Sequence, residues 1–267
     1  MEREVSKRER LGNRMKDGFR LLFIAMATVT VAWPAITFAA PVVFEAAGSA
    51  PADIQDAVDD FRNFLGDNHG VGGTFPDGRR EINWDGVPDA VAAPNNLPAN
   101  FFNVNSPRGV VLFTPGSGFQ VSGNLGVAPI EFDNLHPDAS RKFTTFSPQR
   151  LFTALASPIT EILFFIPGTV QSATSKGFGA VFTHVNRDDS TKIEYFDVNG
   201  SLLFSGFAPP ARGNKTLSFL GVAFDAGEAV FLVRITSGDV ELGGSNRRGR
   251  DLVVMDDFIY GEPQPLP

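Results

Sequence analysis

From Arg79 onward the chain alternates short apolar segments with Gly, Pro and Asn punctuation, and no helical crossover intervenes. Parallel strands need a crossover of a dozen or more residues, usually a helix, so this layout restricts the chain to antiparallel pairing. The pattern predicts strands at Arg80–Trp84, Phe101–Val104, Val110–Phe113, Phe119–Ser122, Ile130–Phe132, Lys142–Phe146 and Glu161–Ile166. Further strands follow at Gly177–Val185, Lys192–Asp197, Leu202–Phe207, Leu217–Phe224, Ala229–Thr236 and Asp251–Tyr260. The clearest hairpin turns at Asn199-Gly200, a dipeptide that supplies the left-handed backbone of a tight turn. Many short strands at near-regular spacing point to an all-β antiparallel sandwich. Its core is built from phenylalanine, with 26 Phe against 2 Trp and 2 Tyr. The absence of cysteine excludes a disulfide scaffold, a zinc–thiolate site and a cysteine nucleophile.

The N-terminus sets the expected compartment. Residues 1–20 carry seven basic and four acidic side chains, and Leu21 to Ala40 then runs without charge. Pro34 and the small residues Thr37 and Ala39 close the run, which is the layout of a secretory signal cleaved after Ala39. An uncleaved membrane anchor is the alternative, because twenty apolar residues can just span a bilayer. Removal of residues 1–39 takes the net charge from −7 to −10. An acidic chain is a poor ligand for polyanions, so nucleic acid is excluded as a partner. The cluster Arg247, Arg248 and Arg250 reads as a solvated hairpin loop. The expected location is secreted, periplasmic or at the cell surface, with no membrane span left after cleavage.

One amphipathic helix is predicted over Ser49–Gly66, with Ile54, Ala57, Val58, Phe61, Phe64 and Leu65 on one stripe. Ser49 is the candidate cap, Pro51 suits the first turn, and Gly66 ends the helix. The Gly-rich loop 67–78 lacks the Gly-Lys-Ser/Thr ending of a phosphate loop. The Pro- and Asn-rich stretch 87–100 is the best boundary. The expected organisation is a signal at 1–39, a helix-plus-strand segment at 40–98, a sandwich at 99–262 and a tail at 263–267.

Gly177–Phe182, Thr191–Gly200, Leu217–Val222 and the closing Val253-Val254-Met255-Asp256-Asp257-Phe258 carry a resemblance. Together they resemble the exported bacterial jelly-roll β-sandwich modules of secreted and surface proteins, some of which carry a Pro-Glu-Pro sorting tail. Carbohydrate-binding modules share that broad architecture. The resemblance covers about residues 110–262 and implies an antiparallel jelly roll. The chain departs from the sorted proteins at Gly261–Pro267, where no apolar tail follows, so no C-terminal anchor is implied. In such modules acidic residues near the first and last strands often hold a structural calcium. The matching C-terminal pair is Asp256-Asp257, with Glu45, Asp85 and Asp89 as further donors. Adjacent strand residues face opposite sides, so one of the pair is expected to point inward and the other outward. A buried carboxylate needs a partner or a cation, and hydrogen bonds from the backbone are the plainer alternative to calcium. The oxygen-rich loops at Asp133, Asn134 and Asp138 and at Asn186, Asp188 and Asp189 read as turn chemistry.

Catalysis finds little support. Ser117 lacks a nucleophile-elbow setting, and nothing local orients His69, His136 or His184. Glu81 and Asp85 flank Trp84 and invite a glycosidase reading. On one strand they would stand about 13 Å apart, too far for that chemistry. Trp84 is the best aromatic for a ligand-facing position. The expected function is a non-catalytic binding or structural module that recognises a glycan, matrix or surface protein. The alternatives are a secreted hydrolase using Glu81 and Asp85, and an envelope structural protein without a small ligand.

Overall fold

Which residues can share a core is decided by strand alternation, and the two large sheets obey it. A computed structural model describes residues 40–243 and 250–266, all within one compact unit. The secretory signal expected over residues 1–39 lies outside the described residues, as do Arg247 and Arg248. In chain order the elements begin with β1 (Val42–Gly48), α1 (Pro51–Leu65), β2 (Arg79–Ile82), α2 (Phe101–Val104), β3 (Val110–Phe113) and β4 (Gly118–Val121). They continue with α3 (Ala139–Lys142), β5 (Phe152–Leu155), β6 (Ile159–Phe164), β7 (Ala173–Thr174), β8 (Gly177–Thr183) and β9 (Lys192–Phe196). The last are β10 (Leu202–Phe207), β11 (Leu217–Ala223), β12 (Leu232–Thr236), β13 (Val254–Gly261) and β14 (Gln264–Pro265).

The larger sheet runs β1-β11-β8-β13-β5-β4, with β2 also paired to β13. The smaller runs β10-β9-β12-β6-β3, and β7 with β14 forms a separate ribbon. The strand pairs are antiparallel, as expected. Phe178, Ala180 and Phe182 of β8 and Leu220 and Val222 of β11 join one buried cluster with Ile193, Tyr195, Val233, Ile235, Ile162 and Phe164 of the smaller sheet. The two sheets therefore face each other across this cluster, and Phe supplies much of it.

The opposite phase of the larger sheet meets α1. Ile54, Val58, Phe61 and Leu65 pack against Val181, Leu217, Phe219, Ala223 and Ile259. Gly179 and Gly221 stand opposite each other in the β8–β11 register. A Cβ on Gly179 would lie 2.9 Å from the Phe61 ring, and one on Gly221 also 2.9 Å from it. The paired glycines thus form the slot that receives Phe61. The helix begins one residue later than the expected cap: Ala50 is the cap, and the Asp53 carboxylate accepts from the Ser49 N–H at 2.7 Å and the Ala50 N–H at 2.9 Å. Those bonds hold the Asp53 carboxyl below its ordinary value.

Three predicted strands are not strands. Phe101–Val104 is the helical turn α2, Ile130–Phe132 is a 3₁₀ turn, and Lys142–Phe146 begins at the end of α3. Short apolar runs carry too few residues to separate a period of 2 from one of 3.6. The boundary at 87–100 does not divide packing units, because β1 pairs with β11, β2 with β13, and Val87, Ala92 and Leu97 enter the shared core.

Candidate functional site

Asp256 and Asp257 lie where β13 slips register against β8. Met255 pairs with Phe182 and Phe258 with Ala180, so two residues on β13 oppose Val181 alone. This bulge breaks alternation. Met255 and Phe258 both enter the core between the sheets, while both carboxylates turn to the outer side. The expectation that one Asp points inward and the other outward is corrected by this extra residue.

Asp256 is 0% exposed and Asp257 2%. The Phe146 N–H donates to Asp256 Oδ2 at 2.6 Å, and the Ser147 hydroxyl donates to Asp257 Oδ1 at 2.6 Å. Arg62 of α1 reaches Asp257 Oδ2 at 3.5 Å and Glu81 Oε2 at 2.8 Å, and Arg79 meets Glu81 Oε1 at 2.7 Å. Burial, with the neighbouring Asp257 charge, pushes the Asp256 carboxyl well above its ordinary value. Burial raises Asp257 to about 6, against the pull of Ser147 and Arg62. The network joins α1, β2, β13 and the 143–150 segment.

Of the residues expected to bind calcium, Asp85 lies near enough to Asp256 for its charge to raise that carboxyl, yet the set does not close into one shell. Glu45 is exposed on the edge strand β1, opposite Leu220. Asp85 lies beyond β2 and accepts from the Arg150 N–H at 3.2 Å and from Asn83 Nδ2 at 3.1 Å. Burial raises its carboxyl. Asp89 is engaged by Arg150. Among the described residues no three His, Asp or Glu side chains are placed to hold a metal ion. The Asp256–Asp257 pair already has N–H, O–H and guanidinium partners, so this donor set does not fit a calcium shell of six to eight oxygens.

Trp84 is not ligand-facing. Its left-handed backbone (φ 66°) turns the indole into the core, where it is 0% exposed and stacks on Phe152 at 4.0 Å. Its Nε1–H donates to the Asp256 carbonyl at 2.8 Å. Glu81 is held by two arginines and Asp85 lies past the strand end, so the two carboxylates do not face each other as an acid and base on one strand. The histidines are engaged locally: His184 Nδ1 with the Leu252 carbonyl, His69 Nε2 with the Asp77 carbonyl, and His136 Nδ1 with the Asp138 N–H.

The Gly-rich loop has a different use. Its carbonyls at Gly70, Gly72 and Gly73 accept from the Arg80 guanidinium at 2.8–3.1 Å, and Glu262 completes the site at 2.5 and 2.7 Å. A phosphate cradle turns N–H groups inward; this loop turns carbonyls inward around its own arginine.

What the sequence reading missed is a surface. On the outer side of the smaller sheet, Leu202, Phe196, Leu232, Leu163 and Val111 follow one another in register across all five strands. The next row carries Ser205, Glu194, Arg234, Glu161 and Phe113. Arg234 bonds Glu161 at 2.6 Å and lies over the Phe196 ring at 5.4 Å. None of the members of the apolar row is fully buried, and Leu202 is 55% exposed. A depression of about 290 Å³ at one end is lined by Phe196, Asp197, Val198, Phe231, Leu232 and Arg234. No described helix covers this side.

Comparison with known proteins returned no match: no family model, curated protein or solved structure is similar enough to assign a family. Among the described residues no helix is long and apolar enough to cross a membrane.

Proposed function

We propose that this chain is a non-catalytic contact module of the jelly-roll type, exported from the cytoplasm, which presents the outer side of its five-stranded sheet to a protein surface. The observation that carries the reading is the apolar row Leu202, Phe196, Leu232, Leu163 and Val111, bordered by the ionic row of Glu194, Arg234 and Glu161. An apolar stripe rimmed by polar residues is the usual make-up of a protein contact surface. The export part rests on the sequence pattern of residues 1–39. A glycan is the weaker choice of ligand, because Trp84, Tyr195 and Tyr260 are all buried and leave no described Trp or Tyr to stack on a sugar.

Surface labelling of the full chain tests this. The purified protein and the same protein in the fraction where it normally resides are footprinted side by side. Protection of Phe196, Leu232 and Leu163 in the native fraction, lost in Leu232→Asp, is the expected result. Equal labelling in both fractions overturns the reading. Specific binding on a glycan array that disappears in Phe196→Asp replaces the protein partner with a sugar.

A further inference from the structure

A sheet edge exposes unpaired N–H and C=O groups, and stable monomers blunt each such edge with charge, proline or covering chain. Four edges of the two large sheets are blunted here. On β1 the exposed Glu45 stands mid-strand. The β2 edge is covered where Asp67 and His69 bond Arg79. The β3 edge is met by the Ala99 carbonyl, which accepts from the Leu112 N–H at 2.9 Å. Along β4, Ala93 and Leu97 donate to the carbonyls of Val121 and Phe119 at 2.7 and 2.8 Å.

The β10 edge differs. Its sequence Leu-Leu-Phe-Ser-Gly-Phe holds no charge and no proline. Leu202 is 55% exposed, Phe207 48% and the neighbouring Val198 46%. Among the described residues no segment pairs with its outer side. The bulge of β10 is confined to its start, between Leu202 and Phe204, and leaves 204–207 regular. Ala208 donates to the Thr191 carbonyl, so Gly206 and Phe204, two and four residues earlier, also turn their backbone groups toward β9. Ser205 and Phe207 therefore turn theirs away, into solvent. Pro209 and Pro210 stop the strand and limit any register.

We infer that the β10 edge pairs with the β10 edge of a second copy of this chain, antiparallel about a two-fold axis at Gly206, joining two five-stranded sheets into one. The open strand suits itself: about that axis Ser205 of each copy stands opposite Phe207 of the other, and every free N–H and C=O of both residues is satisfied. Gly206 meets Gly206 with no side chain between them. Phe207 then lies on the outer side of the joined sheet, level with Lys192 of its own copy and facing Ser205 of the other. This inference uses the strand edge and does not rest on the reading of the sheet face.

The chain has no cysteine, so engineered thiols report pairing without background. Full-length Ser205→Cys protein is mixed with full-length Phe207→Cys protein under mild oxidation. The expected product is a disulfide between the two variants, since residues opposite in such a pair lie about 5.5 Å apart at Cα. Sedimentation of the unmodified chain is expected to give a dimer. Ser205→Lys and Ser205→Pro are expected to weaken association by more than about tenfold with an unchanged melting temperature. A monomer at every concentration overturns the inference. So does a dimer that survives both Ser205 variants, or the absence of the mixed disulfide. A monomer whose Ser205 and Phe207 amides resist hydrogen exchange also overturns it, by placing another part of the same chain on the edge.

Discussion

The two sheets share one core but differ on their outer sides. The larger sheet spends its outward positions on glycine and apolar residues, Gly179, Val181, Phe219 and Gly221, and α1 closes over them. The smaller sheet alternates Lys192, Glu194 and Phe196 on β9 and Leu232, Arg234 and Thr236 on β12, and nothing described covers them. The difference lies in the ratio of residues with a polar head. An apolar stretch such as the one beneath α1 must be buried by the chain itself, whereas a face of mixed rows can stay open to solvent and to another surface.

Truncating one aromatic on each side is the strongest way to break this comparison. Phe61→Ala should lower unfolding free energy by about 3–5 kcal/mol, as for a fully buried ring, read by chemical denaturation. Phe196→Ala should change it by less than about 1 kcal/mol. Equal effects would mean that both faces are covered. Filling the slot comes next: Gly179→Ala places a Cβ 2.9 Å from both the Phe61 ring and the Gly221 Cα, and should cost about 1–3 kcal/mol.

The carboxylates beneath α1 give the covered side a pH dependence. Asp256 and Asp257 both titrate higher in the folded protein than in an unfolded chain. Between about pH 4 and the raised folded values the native state therefore holds more protons than the unfolded state. Stability is fully present below the unfolded value and falls as pH rises through 6 for Asp257 and higher for Asp256. The displacement of Asp257 alone corresponds to a fall on the order of 3 kcal/mol, and Asp256→Asn, which keeps an acceptor for the Phe146 N–H, should flatten the profile. Denaturation curves from pH 4 to 8 measure both. The smallest effect belongs to the open side: Arg234→Gln removes a part-exposed ion pair with Glu161 and should shift stability by less than about 1 kcal/mol.

The all-β class, the antiparallel pairing and the stripe of α1 are legible in the sequence because each rests on periodicity within one segment. Leu163, Phe196 and Leu232 fall within predicted strands, but the sequence does not mark the side they face. Their alignment into one row depends on five pairing registers, which no local pattern contains. The bulge was hidden for the same reason: Asp256-Asp257 reads as ordinary alternation until its partner strand supplies one residue against two. Trp84 was misplaced because a left-handed backbone at a tryptophan has no signature in neighbouring residues. The edge strand β1 and the inner strand β5 carry no clear strand signal, the first for its Ala and Gly content and the second for its brevity.

The salt link between Arg80 and Glu262 spans 182 positions of chain, and β1 and β2 find their partners only in β11 and β13. A ribosome therefore releases the opening strands long before anything exists for them to pair with. Such non-local closure slows folding and leaves β1 and β2 unpaired until β11 and β13 emerge. Shortening the chain from its C-terminal end thus unravels its beginning.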